Sequence, residues 1–351
     1  MRLLVTGGAG FIGSNFVNMV LKEHPEVNVT VLDALTYCGN LDNFPSDVWK
    51  NKRASFCHGN ILDRDLVFNL MKEFRPDGII HFAAFTHIDR SIDLSDPFMD
   101  TDFKGTHILL EAIRKYPVHR FVHISTSEVY GTAQKVPMDE THPLSPQSPY
   151  AAAKAGADRL AYSYFLTYKL PIVVIRPFNA YGPNQYPEKL IPFFITNAIL
   201  GKNLLIYGDG KNTRDWTYVS DSVRGIWKVL QTSNIEGETI NLGSGEEMDV
   251  VGIAEVILDE LNIEREGSRV QGFKGSKMEF IGDRPGHVKR LIASFDKARN
   301  LIGWSPEIKF KEGLKRTISW YVDNKKWWEK IRESSEFKNF EDLWYKKLKK
   351  K

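Results

Sequence analysis

Tyr150 and Lys154 stand four residues apart in Tyr150-Ala151-Ala152-Ala153-Lys154, a spacing that puts both side chains on one face of a helix. An ammonium beside a phenol favours the phenolate and lowers its pKa toward neutrality, so the tyrosine becomes a usable base. Such a base can take the proton of a sugar hydroxyl while a nicotinamide takes the hydride. The pair alone is common and more often structural. Its weight comes from two companions. Ser125-Thr126-Ser127-Glu128 follows an apolar run directly, so a strand end would present three hydroxyls and a carboxylate together. Gly7-Gly8-Ala9-Gly10-Phe11-Ile12-Gly13 follows another apolar run and opens an amphipathic stretch.

The glycines at 7, 10 and 13 are spaced G-x-x-G-x-x-G, one residue wider at the front than the dinucleotide fingerprint G-x-G-x-x-G. The physical task is the same: a tight turn, close approach of backbone to a pyrophosphate, and a helix N-terminus whose free N–H groups and partial positive charge face the phosphates. Asp33 ends the second strand-like run, about 20 residues further on, where a carboxylate accepts hydrogen bonds from a ribose. It would repel a 2′-phosphate, and no arginine follows it in Ala34-Leu35-Thr36-Tyr37. The expected cofactor is therefore NAD and not NADP.

These groups need rigid elements to hold them. Leu3–Thr6, Val29–Leu32, Gly78–Phe82, Phe121–Ser125 and Ile172–Ile175 read as buried strands, β-branched and bounded by Gly, Asp or Pro. Between them, Ser14–Glu23, Asp63–Phe74, Thr101–Tyr116 and Tyr150–Tyr168 read as helices. The alternation implies an α/β fold with parallel strands and right-handed crossovers; with the glycine turn it is a Rossmann-type, doubly wound sheet. After Arg176 the texture changes, with Pro177, Pro183, Pro187 and Pro192 and then Gly201, Gly208 and Gly210. That stretch reads as loop, which on a rigid scaffold usually holds ligands. A strand at Thr239–Leu242 and helices at Val250–Leu261 and Phe310–Asn324 follow. The aromatic and lysine-rich end from Trp327 to Lys351 reads as a solvated helix that frays. The expected division is a dinucleotide-binding domain at 1–178 with a return segment near 214–242, a smaller C-terminal substrate-binding lobe from 179–213 and 243–330, and a basic tail at 331–351.

Composition narrows the class. The chain has 351 residues, 42% hydrophobic and 26% charged, which argues against disorder and fibrous repeats. A net charge of +3 is no footprint for nucleic acid, so no polyanion partner is expected. No run approaches a membrane span, and no secretory signal opens the chain. Two cysteines, Cys38 and Cys57, are too few for a disulfide framework or a cysteine-rich zinc site; both read as buried small hydrophobes, and no metal is expected. A cytoplasmic protein follows.

Beyond the shared glycine and Tyr-x-x-x-Lys motifs, the chain resembles the extended short-chain dehydrogenase/reductases, and within them the nucleotide-sugar 4,6-dehydratases, most of all the dTDP-glucose branch. The resemblance runs to about Trp328 and lies in separate blocks: Leu35-Thr36-Tyr37-Cys38-Gly39-Asn40-Leu41, Thr86-His87-Ile88-Asp89-Arg90-Ser91-Ile92, Tyr181-Gly182-Pro183 with Pro187-Glu188-Lys189-Leu190-Ile191-Pro192, Arg214-Asp215-Trp216, and Gly282-Asp283-Arg284-Pro285-Gly286-His287. It implies that a bound NAD is used and regenerated in one turnover. Tyr150 would act as base for C4 oxidation, Lys154 as its activator and nicotinamide-ribose ligand, Thr126 as the hydroxyl near O4, and Glu128 as the base at C5. Water would leave from C6, giving a 4-keto-6-deoxy sugar nucleotide. Asn60, Ile61 and Ala83 would join the glycine turn, Phe11, Ile12 and Asp33 around the cofactor.

One position departs from the pattern. The dTDP-glucose branch reads Thr-Asp-Glu, its aspartate protonating the leaving hydroxyl, and here that position is Ser127. Elimination must then use Glu128 in both roles, or water, or it does not occur. Thr-Ser-Glu resembles GDP-mannose dehydratases, the N-acetylglucosamine nucleotide dehydratases of nonulosonate pathways, and UDP-glucuronate decarboxylases. On the substrate side the resemblance implies Arg214 and Arg284 on the diphosphate, whose planar forks suit it, with Asn179 donating to it. Lys189, Leu190 and Tyr207 would contact the base or ribose, and Asn241 and His287 the distal edge. Thr86 and His87 would lie near the sugar, although His87 reads equally as a core histidine. A nucleotide-sugar 4,6-dehydratase is the leading reading. A 4-epimerase or a UDP-glucuronate decarboxylase would share the C4 oxidation, and a protein holding NAD without chemistry is the third class. A homodimer is expected by resemblance, through helices Thr101–Tyr116 and Tyr150–Tyr168, with Leu109, Leu110, Ile113, Leu160 and Tyr164 as apolar positions.

Overall fold

The computed structural model describes residues 1–266 and 276–349. In chain order run β1 (Arg2–Thr6), α1 (Phe11–Glu23), β2 (Asn28–Asp33), β3 (Ala54–His58), α2 (Arg64–Phe74), β4 (Gly78–His81), α3 (Ile88–Asp93) and α4 (Asp96–Phe98). Next come α5 (Thr106–Lys115), β5 (Arg120–Ile124), α6 (Pro149–Tyr168), β6 (Ile172–Pro177), β7 (Asn179–Tyr181), α7 (Leu190–Ile199), β8 (Leu204–Tyr207) and β9 (Thr213–Tyr218). Then follow α8 (Val219–Gln231), β10 (Thr239–Leu242), β11 (Glu247–Asp249), α9 (Val250–Glu266), β12 (Met278–Ile281) and β13 (Arg290–Leu291). The chain finishes with α10 (Asp296–Ile302), α11 (Phe310–Asp323), α12 (Lys325–Glu333) and α13 (Ser335–Lys349). Among the described residues no helix is long and apolar enough to cross a membrane.

The main sheet has seven strands in the order β10-β6-β5-β4-β1-β2-β3, all paired in parallel. Its strands are apolar on both faces because both are covered. Leu3 and Val5 point into one core with Phe16, Val20, Ile226 and Trp304, while Leu4 points into the other with Met71, Leu109, Ile113 and Phe121. Leu109, Leu110 and Ile113 are thus spent on the sheet, and the apolar side chains exposed on this side are Met99, Phe103, Leu166 and Tyr168. The order reverses between β1 and β4, and ligands of open parallel sheets bind at such a point, outside the carboxyl ends of the strands.

A second sheet pairs β11, β9 and β13, with β7 alongside β9, and β12 pairs with β8. The return to the main sheet therefore begins at Val219 and not near 214, since β9 pairs with β7, β11 and β13. The Pro/Gly-rich stretch after Arg176 is more regular than its composition suggests. Pro192 falls in the first turn of α7, where the missing N–H has no partner to lose.

Two further departures bear on the site. The expected helix Thr101–Tyr116 opens with a π-helical segment, Met99–Gly105, before α5. The tail does not fray either: in α12 the side chain of Trp328 is buried, and in α13 those of Phe337, Trp344 and Leu348, spaced to share one face of that helix.

α6 starts cleanly. Ser148 caps it through Oγ, which accepts the Ala151 N–H at 3.2 Å, and Pro149 occupies its first turn. Buried alanines at 151, 153, 157 and 161 let it lie close to its neighbours. It is tied to β6 by a buried fork: Arg176 Nε donates to Asp158 Oδ2 at 2.9 Å and Nη2 to Oδ1 at 3.0 Å. Burial alone would raise the Asp158 pKa, but the Arg176 hydrogen bonds and charge hold it below the usual carboxylate value. Arg176 Nη1 also donates to Tyr130 Oη, which donates to Asn241. Removing Arg176 takes away the buried partner of Asp158 and leaves that carboxylate only the part-exposed Arg159, and breaking a buried pair is destabilising. Arg176→Met is expected to lower unfolding free energy by about 3 kcal/mol, read as a fall in the urea midpoint; a shift equivalent to under about 0.5 kcal/mol, the range of an ordinary surface change, would contradict it.

Candidate active site

A cavity of about 400 Å³ lies at the carboxyl ends of the main strands, lined by Gly7, Asp33, Ala83, Ser125 and Pro177 among others. At one end it is built for a dinucleotide. Gly7 has φ +69°, and a Cβ there would sit 2.4 Å from the Ala83 nitrogen. A Cβ on Gly13 would meet the Gly7 carbonyl oxygen at 2.4 Å. No side chain caps α1 at Gly10, and Gly10, Phe11, Ile12 and Gly13 all line the cavity, so the N-terminus of α1 is available to an anion. Asp33 accepts from Ala9 N–H at 2.9 Å and Leu35 N–H at 2.8 Å. Burial raises its pKa and those two donors pull it back. A fixed carboxylate at the end of β2 beside an open helix N-terminus fits a dinucleotide with a free ribose diol. Asn60 and Ile61 line the same end.

The reactive side chains meet beside it. Thr126 caps the 3-10 turn Ser127–Tyr130, its Oγ1 accepting Glu128 N–H at 3.2 Å. Thr126, Ser127, Glu128, Tyr150 and Lys154 all line the cavity. Tyr150 shares a hydrogen bond with Thr126. Lys154 Nζ donates to the Ile124 carbonyl at 2.6 Å. Glu128 lies 3.6 Å from Arg214, whose Nη1 donates to the Thr213 carbonyl.

The phenol does not behave as the Tyr-x-x-x-Lys spacing suggests. In the bare chain its pKa is raised above the ordinary value, first by burial and then by the charge of Asp102, with only the Thr126 hydrogen bond acting against them. The Lys154 charge is answered elsewhere: burial lowers the Lys154 pKa and Asp102, with Asp158, raises it. Asp102 comes from the π-helical segment. Its Oδ1 accepts Phe85 N–H at 2.8 Å, and its Oδ2 is buried without a partner. Burial pushes its pKa up and Lys154 opposes that. Neither residue spacing nor motif marked Asp102, whose charge and that of Lys154 act on one another across the fold.

At the far end, Arg284 donates to Asp89 Oδ1 at 2.9 Å, and Tyr207 Oη donates to Asp89 Oδ2 at 2.8 Å. Lys189 Nζ donates to the Thr86 carbonyl at 2.6 Å. His287 Nδ1 lies 2.7 Å from Asp283; burial, Arg284 and Arg214 hold its pKa below the usual histidine value. Thr86, His87, Asn179, Lys189, Leu190, Tyr207, Arg214, Arg284 and His287 all line the cavity. Asn241 does not. It is fully buried in β10, where its amide accepts from Tyr130 Oη and donates to the Met138 carbonyl, so its role is in the wall behind the site. Cys38, read as a core residue, also lines the cavity. So do Phe85, Asp89, Glu188 and Tyr345, which residue type alone did not single out. His87 Nδ1, Glu188 Oε1, Arg284 Nε and Ser125 Oγ are buried around it without a hydrogen-bond partner; polar atoms so placed suit a polar ligand. Among the described residues no group of His, Cys, Asp and Glu could hold a metal ion.

Comparison with known proteins bears on this arrangement. The model of the GDP-mannose 4,6 dehydratase family matches residues 4–317. A dTDP-glucose 4,6-dehydratase of Streptomyces niveus is 44% identical over 96% of the chain and 97% of its own length. One of Actinoplanes sp. is 41% identical over 93% of the chain and 100% of its own length. The crystal structure of DesIV, a dTDP-glucose 4,6-dehydratase of Streptomyces venezuelae with NAD and TYD bound, superposes with a TM-score of 0.87 at 42% identity, covering 94% of the chain and 100% of that structure.

The Asp33 geometry generates a binding prediction. Asp33→Asn keeps an acceptor for one backbone donor but loses the charge, so NAD affinity is expected to fall about tenfold, as for a lost charged hydrogen bond, while NADP affinity rises. Calorimetric titration of both dinucleotides checks it; wild-type protein that binds NADP as tightly as NAD would contradict the assignment.

Proposed function

The chain belongs to the GDP-mannose 4,6-dehydratase family of extended short-chain dehydrogenase/reductases, and from that premise we propose how its own residues carry the reaction. It is an NAD-dependent nucleotide-sugar 4,6-dehydratase. The finer reading is a dTDP-hexose substrate, dTDP-glucose first, converted to its 4-keto-6-deoxy derivative. The observation that carries it is the convergence of Thr126, Glu128, Tyr150 and Lys154 in the same cavity as the glycine turn and Asp33.

NAD, when bound, accepts the hydride from C4 and later gives it to C6. Gly7, Gly10, Gly13 and the α1 N-terminus would hold its pyrophosphate, and Asp33 its adenosine ribose. Tyr150 Oη takes the C4 hydroxyl proton, with Thr126 Oγ1 oriented toward O4 and Lys154 fixing the phenol's surroundings. The C4 ketone acidifies C5–H, and Glu128 removes that proton. Ser127 has no proton of carboxylic-acid strength, so Glu128 returns the proton to the departing C6 hydroxyl, which leaves as water. After C6 is reduced, Glu128, reprotonated from solvent, protonates C5, and Tyr150 releases its proton to solvent. Atoms and charge then balance to the loss of one water. Arg214, with Arg284, would hold the diphosphate while keeping Glu128 oriented.

We further propose that 1–178 with 219–242 serves the cofactor and the remaining lobe the substrate. A homodimer through the exposed Met99, Phe103, Leu166 and Tyr168 is part of the reading, as is a cytoplasmic location without nucleic-acid or membrane partners; sedimentation as a 40.2 kDa species would contradict the dimer.

Incubation with NAD and dTDP-glucose, UDP-glucose, UDP-N-acetylglucosamine, GDP-mannose or UDP-glucuronate, followed by mass spectrometry, tests the reaction. Loss of one water is expected, with dTDP-glucose preferred. Glu128→Gln should lower product formation a hundredfold or more, at the scale of a lost general acid–base group. Product of unchanged mass but altered NMR spectrum, with Glu128→Gln still active, would mean epimerisation instead, and loss of carbon dioxide would mean decarboxylation.

A further inference from the structure

The glycine turn is held from outside the cavity by one asparagine. Asn43 ends the 3-10 turn Leu41–Asn43 and is buried, but it is not among the residues that line the cavity. Its Nδ2 donates to the Ala9 carbonyl at 2.9 Å, which also accepts the Asn40 N–H at 3.0 Å. The Ala9 N–H goes to Asp33 Oδ2 at 2.9 Å. Both backbone polar groups of Ala9 are therefore held by the segment 33–43. This bears on the cofactor, because a pyrophosphate is drawn to N–H groups and repelled by carbonyl oxygens. An Ala9 carbonyl released from its two donors would be free to turn toward the anion.

The tail decides how the Asn43 amide is oriented. Trp327 Nε1, on α12, donates to Asn43 Oδ1 at 3.1 Å. An indole N–H can only donate, so it selects the amide orientation whose NH2 faces Ala9. Trp327 is seated against Trp320 and Tyr321, ring to ring at 5.0 and 6.3 Å, and lies beyond residue 317, where the family match ends. The backbone carbonyl of Asn43 accepts from Asn18 Nδ2 of α1 at 3.0 Å and from Asn184 Nδ2, in the loop after β7, at 3.2 Å. One residue thus joins the glycine turn, α1, the loop after β7 and α12.

The reaction gives this joint a task. The hydride taken from C4 has to come back at C6, so loss of the dinucleotide after the first transfer carries the hydride away and strands the sugar as a ketone. Resting on the dehydratase reading, we propose that Asn43 and Trp327 form a latch that retains the dinucleotide through the turnover. Asn43 is a positioning residue that fixes the Ala9 carbonyl, and Trp327 orients its amide. The tail is thereby part of cofactor retention. Lys330 and Asp42 pair at 2.7 Å between the same two elements, but both are exposed, and such a pair weighs little.

Calorimetric titration of the full-length protein, freed of dinucleotide, with NAD, NADH and dTDP tests this, together with the rate at which bound NADH is lost on dilution into NAD. Asn43→Asp keeps the acceptor for Trp327 but sets a carboxylate against the Ala9 carbonyl. Dinucleotide affinity should fall about tenfold or more, the scale of a buried group left unpartnered. Trp327→Phe keeps a ring in place and removes the donor, so it should fold and weaken dinucleotide binding about fivefold, the scale of one neutral hydrogen bond. NADH should leave it correspondingly faster, with dTDP affinity unchanged; this variant decides the matter if Asn43→Asp does not fold. During turnover of dTDP-glucose with excess NAD, both variants should accumulate more NADH than the enzyme present, and the wild type should not. Lys330→Ala should leave dinucleotide binding as it was. Dinucleotide affinity and NADH loss in Trp327→Phe within twofold of wild type would overturn the proposal even if that variant melts at a lower temperature, as a merely structural contact would cause. An equal loss of affinity in Lys330→Ala would overturn it too. Wild-type protein that binds NAD yet releases no dehydrated product would overturn the reaction reading, leaving the latch to be judged by dinucleotide affinity and dissociation alone.

Discussion

A lysine ammonium buried at the end of a strand is costly unless it is paired and hydrogen-bonded, and Lys154 meets that demand in one way. Its Nζ donates to the Ile124 carbonyl, the last of β5, and its charge is answered by Asp102. Because Lys154 is fixed to β5, the first turn of α6 is fixed as well, and Tyr150, one turn earlier on the same face, is carried to Thr126 at the cavity. The chain leaving β5 turns at once through Ser127–Tyr130, which delivers Glu128 to the same place. The reactive groups are thus an outcome of where one charge can be buried.

The surrounding structure makes that burial tolerable. The Asp158–Arg176 fork holds α6 to β6, and the Tyr130–Asn241 hydrogen bonds extend it into the wall behind Glu128. On the other side of the crevice the glycine turn leaves no room for side chains between β1 and β4. The two ends of the cavity differ in character: backbone N–H groups and one carboxylate at the cofactor end, individually placed and partnered cations at the substrate end. A chain with a net charge of only +3 has no general basic field, so each arginine must be positioned by a carboxylate: Arg214 by Glu128, Arg284 by Asp89, Arg90 by Glu188. Ser127 matters to the proposed reaction because, on that reading, Glu128 would serve as base and acid in turn.

What was legible in the sequence follows from how local each feature is. The glycine turn, Asp33 and the Tyr150–Lys154 spacing depend on a strand, a turn and a helix in succession, and the parallel order of the main sheet follows from their alternation. Asp102 was not legible, since a π-helical turn is not encoded in apolar periodicity. Asn241 was misplaced because an asparagine at a strand end suits a ligand and a buried network equally, and only the position of Tyr130 decides. The tail looked solvated because its lysines outnumber its aromatics, while what the fold uses is Trp328 of α12 and the placement of Phe337, Trp344 and Leu348 on one face of α13. The spacing of Tyr150 and Lys154 fixed their neighbourhood but not the sign of the phenol's shift, which burial and Asp102 control.

That the Asp102 carboxylate acts on the phenol alongside burial is open to direct measurement in the pH dependence of kcat/KM for Asp102→Asn. The Asp102 carboxylate raises the Tyr150 pKa, so removing its charge lowers that pKa, and more of the phenol is ionised at a given pH. The rising limb of the profile should therefore move to lower pH than in the wild type, with the descending limb also moving down as the Lys154 ammonium loses its partner. A rising limb that stays in place or moves to higher pH would show that Asp102 does not act on Tyr150, and would contradict the account.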